Sequence, residues 1–196
     1  MDTTATRPRR GKASPLATAI LLALAIQGCG GAAATVQTTT AAEPTTTTTQ
    51  AVEPLSIEVD AVDFAYEGLP TSVASGTAVS LRNSSETELH EFVAIRLPDD
   101  EQRSVTDLVQ NPDDLIAYFP NVATVIIAPP GEDGFPVEGD GTLTEPGRYA
   151  IICAIPTGVD PAVYLAAAAE SEGPPQVEGG PPHFLAGMYA EVIVTD

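Results

Sequence analysis

From Leu55 onward, apolar and polar residues alternate. Leu55, Ile57 and Val59 are separated by Ser56, Glu58 and Asp60, and Val62, Phe64 and Tyr66 carry the rhythm on. Met188, Ala190, Val192 and Val194 repeat it at the end of the chain. A period of two places successive side chains on opposite faces of a pleated strand, so these stretches predict half-buried strands. Further strands are expected over 78–82, 89–97, 123–128 and 148–154. The last of these is fed by Glu145-Pro146-Gly147, whose chemistry suits a type II turn, and ends at Cys153. Many short strands between Gly/Pro turns predict an all-β fold, a Greek-key β-sandwich.

Helical signals are local. Asn111-Pro112-Asp113-Asp114 offers a cap, a first-turn proline and acids suited to the helix dipole, and predicts a short helix reaching toward Tyr118. Asp160-Pro161 opens a second over "AVYLAAAAE", stopped by Gly173-Pro174-Pro175. Both read as short helical insertions on a β scaffold.

The N-terminal segment has a different pattern. Arg7, Arg9, Arg10 and Lys12 precede a short apolar run from Leu16 to Ile26, and Ile26-Gln27-Gly28 leads into Cys29. The run is too short to cross a bilayer and has the layout of a secretion signal. Its ending resembles the lipobox of bacterial lipoproteins, which implies cleavage before Cys29 and a diacylglyceryl group (with palmitate-type acyl chains) on its thiol. The expected division is a signal peptide over 1–28, a tether over 29–54 and one domain over 55–196. The tether is almost entirely Ala and Thr, with too little apolar content to build a core and with candidate acceptors for O-glycosylation. The protein is expected at the cell membrane, held by lipid on the extracytoplasmic side.

Removing the signal sharpens the charge. Of the 8 Lys+Arg, Arg82, Arg96, Arg103 and Arg148 remain, against 26 of the 27 acids, a net charge of −22. Such a surface repels nucleic acid and suits a basic protein partner, here a basic redox protein, with the chain itself a monomer. Acidic pairs such as Asp99-Asp100 and Asp113-Asp114 sit beside prolines, where acids cap and solvate. No nucleophile–base constellation and no phosphate loop after a strand can be assembled, so an enzyme is not expected.

The chemistry lies in the rarest residues. With the signal and Cys29 set aside, the domain holds two histidines, His90 and His183, one cysteine, Cys153, and one methionine, Met188. Two imidazoles, a thiolate and a weak thioether are the donor set of a type 1 copper site. His90 opens a strand after a polar loop, Cys153 ends the penultimate strand, and His183 and Met188 lie in the loop before the last. The Asn-to-His-Glu-Phe stretch, "GRYAIIC", the His-x4-Met spacing and "MYAEVIVT" resemble the cupredoxins, the plastocyanin and azurin group. The resemblance implies one copper ion of type 1, bound by His90, Cys153, His183 and Met188, and single-electron transport. The chain departs from that pattern in one place: the small carriers have a few residues between the cysteine and the second histidine, whereas here 29 intervene.

Two other readings stay open: a copper delivery or storage module using the same residues, and a metal-free sandwich with Cys153 in its core. Type 1 ligation makes geometric demands. His90, Cys153 and His183 must converge at one end of the sandwich, with the second nitrogen of His90 on an acceptor. Cys153 should receive N–H groups from the loop of His90, and the extension should fold back with its helix beside the site.

Overall fold

The computed structural model describes residues 55–171 and 173–196; the signal, the tether and Cys29 lie outside the described residues. Ten strands form two sheets. In chain order they are β1 (Ser56–Val62), β2 (Ala65–Glu67), β3 (Ser72–Ala74), β4 (Thr77–Asn83), β5 (His90–Arg96), β6 (Val122–Ala128), β7 (Phe135–Glu138), β8 (Thr142–Leu143), β9 (Gly147–Ile152) and β10 (Tyr189–Thr195). One sheet runs β2-β1-β4-β8 and the other β3-β10-β9-β5-β6-β7. The β1/β4 and β3/β10 pairs are parallel and the rest antiparallel. The expected all-β sandwich is what forms.

The sheets enclose one core. Val59, Ala61, Val79 and Leu81 from the first sheet meet Phe92, Ala94, Ile126, Ile151, Val192 and Val194 from the second. The alternation in β1 and β4 therefore has the meaning read from the sequence, one face packed and one solvated. Strand β5 lies centrally and is buried on both faces, which is why "HEFVAI" shows no alternation. Its outer face carries Val93 and Ile95, covered by Val105, Leu108 and Leu115 of two short helices, α1 (Val105–Val109) and α2 (Pro112–Ile116).

Three local expectations are corrected. The rhythm through Val62, Phe64 and Tyr66 is broken by a turn at Asp63-Phe64, where Phe64 takes φ 61°. Asn111 does not cap α2; its Nδ2 donates to Asp107 O at 2.9 Å, serving the end of α1 instead. Helix α1 itself was not expected, because its capping box is closed by Asp107 rather than by Glu or Gln. Ser104 Oγ accepts from Asp107 N at 3.1 Å, and Asp107 Oδ2 accepts from Ser104 N at 3.3 Å. The Asp160 helix is present as α3 (Pro161–Ala169), with Asp160 accepting from Ala162 N and Val163 N.

Candidate metal centre

His90, Cys153 and His183 come together at one end of the sandwich. Their donor atoms all lie within 4.8 Å of one another, and all three residues are 0 % exposed. His90 Nδ1 is 3.2 Å from His183 Nδ1, and Cys153 Sγ is 3.3 Å from the same His183 nitrogen. In sequence these residues are 63 and 30 positions apart, so the fold alone creates the cluster.

Each donor has its own support. Cys153 directly follows β9, keeps the inward parity of Tyr149 and Ile151, and receives Glu91 N–H on its sulfur at 3.4 Å. The predicted N–H donor thus comes from the residue after His90. His90 is the first residue of β5, and the loop before it is tied by Asn83. That side chain is 0 % exposed; its Nδ2 donates to Glu88 O and Ala128 O at 2.8 Å each, and its Oδ1 accepts from Ser85 N at 2.9 Å. Sequence reasoning did not assign Asn83 this role. The signal was available, since Thr77, Val79, Leu81 and Asn83 share the buried face of β4 and a buried amide needs partners.

The His-x4-Met spacing has a backbone cause. His183–Ala186 form one 3-10 turn, and Gly187 closes it at φ 118°. Gly187 N–H donates to Phe184 O and Met188 N–H to His183 O, the reciprocal pattern of a Schellman motif. The turn brings Met188 back beside His183. Met188 is 0 % exposed, packs in the core that contains Cys153, and accepts the Cys153 N–H on its carbonyl at 3.2 Å.

The 29 residues between Cys153 and His183 do not separate them. Phe184 N donates to Cys153 O, His183 N to Ile155 O, Thr157 N to Pro181 O and Gly180 N to Thr157 O, with Pro156 bridging Pro182. This short ladder pinches the extension at its base, and beyond it Val159 and Tyr164 fold back into the core. As expected, α3 lies against the site, with Tyr164 buried in the core that holds Cys153. Met188, Cys153 and their neighbours therefore see a short connection, whatever the length of chain outside.

One expectation about the surroundings fails. His90 Nε2 has no hydrogen-bond partner among the described residues, although a backbone carbonyl or side-chain acceptor was expected. His183 Nε2 also lacks an aligned hydrogen bond, but Glu88 Oε2 faces it at 3.3 Å. The Phe64 ring packs edge-on against the same imidazole, centroids 4.9 Å apart.

The electrostatics leave the donors neutral. Burial, then the neighbouring His183, lowers His90 to about 4, and burial lowers His183 against the pull of Glu88. Burial, then the charge of Glu91, raises the Cys153 thiol well above its ordinary range. Glu91 itself is buried, accepts from Ala154 N at 2.9 Å, and is raised to about 7 chiefly by burial. Two neutral imidazoles and a thiol thus aim three donors at one dry point. A cation bound there would displace the thiol proton and draw on the two imidazole nitrogens that face it.

No family model matches the chain, and no curated protein matches it. Among the solved structures similar to this chain are three auracyanins. An auracyanin from the photosynthetic bacterium Roseiflexus castenholzii is 19% identical over 72% of this chain and 97% of its own, at TM-score 0.41. Auracyanin A, a "blue" copper protein from Chloroflexus aurantiacus, is 16% identical over 73% and 100%, at TM-score 0.39. Auracyanin B is 23% identical over 74% and 93%, at TM-score 0.38. The fold and the cluster together define a two-sheet β-sandwich with a buried His-Cys-His triad at one end, and the reading of its chemistry rests on that triad.

Proposed function

We propose that this domain binds one copper ion in a type 1 site and carries single electrons, as a cupredoxin would. The observation that carries the reading is the convergence of His90 Nδ1, His183 Nδ1 and Cys153 Sγ in a site closed to water. The donor set is soft and borderline, with no carboxylate among the three, which favours copper over the hard cations. Met188 is the axial candidate, placed by the Schellman turn. Bound copper would supply the one-electron couple; the chain's part is to hold the donors in a fixed frame, so that little rearranges when the charge changes.

Delivery or storage fits less well. A module that hands over its ion needs an accessible donor, and His90, Cys153, His183 and Met188 are each 0 % exposed. The partner suggested by a net charge of −22 is a basic redox protein. Lipid on Cys29 would hold the domain at the outer surface of the membrane. No helix among the described residues is long and apolar enough to cross one.

The test is optical. Cu(II) added to the purified domain is expected to bind one equivalent and give intense colour from thiolate-to-copper charge transfer. Cys153→Ser should remove the colour while the fold persists. An unchanged spectrum in that variant, or no copper uptake by the wild type, overturns the reading.

A further inference from the structure

We propose that Glu88 is the positioning residue for His183 and the anchor that couples the 158–179 extension to the metal centre. The inference rests on the copper reading for its redox consequence, but its geometric half stands without metal. Glu88 Oε2 lies 3.3 Å from His183 Nε2 and accepts the Gly158 N–H at 3.1 Å. Its backbone is fixed independently, because Glu88 O accepts from Asn83 and Glu88 N donates to Ser85 Oγ at 3.0 Å. One carboxylate oxygen therefore touches the first residue beyond the pinched ladder and a donor residue of the triad, from the loop that leads into the other histidine.

The placement favours one nitrogen of His183 as the site of the proton. Nε2 faces a carboxylate, so the tautomer with N–H at Nε2 is the favoured one, and the Nδ1 lone pair is left for the centre. Among the described residues His90 Nε2 has no such partner, so the two imidazoles are not equivalent. His183 is the ligand whose orientation and basicity the protein controls, and the control comes from the loop that also holds Gly158. A carboxylate behind a donor imidazole stabilises the more highly charged metal state, which for copper is Cu(II). Outer partners of this kind typically alter metal affinity by about 10–100-fold when removed.

Two variants separate position from charge. Glu88→Gln keeps an acceptor oxygen and loses the charge; Glu88→Ala loses both. Glu86→Gln, an exposed acid on the same loop, removes equal charge without touching His183. In the metal-free full-length protein, nitrogen-15 shifts should show the His183 Nε2–H tautomer in wild type and Glu88→Gln and a mixture in Glu88→Ala. Hydrogen exchange at the Gly158 amide should quicken in Glu88→Ala. After copper loading, both Glu88 variants should keep the colour, raise the reduction potential and bind Cu(II) about 10–100-fold more weakly, with Glu86→Gln near wild type. An unchanged tautomer in Glu88→Ala refutes the positioning role, and equal potential shifts in Glu86→Gln and Glu88→Gln refute the specific coupling. If the wild type takes up no copper, the functional reading falls, while the tautomer measurement still decides the role of Glu88.

Discussion

Asn83→Ala should destabilise this domain far more than a surface substitution, by an amount that the structure sets. The amide makes three hydrogen bonds, at 2.8, 2.8 and 2.9 Å, to backbone groups of two segments: Glu88 and Ser85 of the β4–β5 loop, and Ala128 at the end of β6. At roughly 1 kcal/mol net for each bond, with unsatisfied buried partners left behind, the loss is about 3 kcal/mol. That is a large share of the ~5–15 kcal/mol that holds an ordinary domain together. With a urea slope near 2 kcal/mol per molar, the unfolding midpoint should fall by about 1.5 M. Metal-free protein is the right sample, since bound metal would add stability of its own. Ser85→Ala serves as the comparison. It removes a 3.0 Å acceptor for Glu88 N and a 3.4 Å one for Thr87 N, and should cost about 1 kcal/mol. The Ser85 amide should also lose protection from hydrogen exchange in Asn83→Ala. A midpoint shift below about 0.5 M, or one no larger than that of Ser85→Ala, would mean the β4–β5 loop and β6 hold together without the amide.

Gly187→Ala places a side chain at φ 118°, so it should cost about 1–2 kcal/mol and displace Met188, seen as a changed potential in the copper-loaded protein with its colour retained. Glu101, held down to about 2 by Arg103 and then Tyr118, contributes stability above its ordinary 4.5. That contribution is lost as pH falls from about 4.5 toward 2, so Glu101→Gln should be less stable at pH 6 and lose less on acidification, as followed by denaturation at each pH. Replacing residues 158–179 with an Asn-Gly turn between Thr157 and Gly180, already bonded at 2.9 Å, should leave a folded domain whose copper spectrum persists, with lower stability from the loss of Val159 and Tyr164 from the core. Loss of copper uptake in that protein would show that the extension is part of the site's frame.

The sequence made the sandwich and the donors legible for a simple reason. Period-two alternation in β1, β4 and β10 reports directly on which face is buried, and rare donor types stand out in a chain with two histidines and two methionines. What it left hidden depends on distant partners. Strands β3, β7 and β8 are two to four residues long and β7 is exposed throughout, so neither pattern nor length marks them. Glu88 is one of two glutamates in "SETEL" and looks like a solvating acid until Gly158 and His183 are placed beside it. Glu91 carried a signal that could have been used: a carboxylate inside an otherwise apolar strand, directly after a donor histidine, has to be satisfied by something, here Ala154 N–H. The break at Phe64 was illegible because an aromatic at positive φ contradicts local preference.

The ladder from Ile155 to Thr157 against Gly180 to His183 has an evolutionary consequence. It separates two properties that a single ligand loop normally binds together, the spacing of the donors and the surface offered around them. Chain added beyond Thr157 lengthens a side branch, leaving the interval that the metal centre experiences unchanged. Lineages of this domain can therefore redraw the face presented by α3, in size, charge or modification, without re-selecting the centre each time. Drift within that branch should be fast except where it touches back, at Gly158, Val159 and Tyr164. Positions inside the ladder should tolerate neither insertion nor deletion.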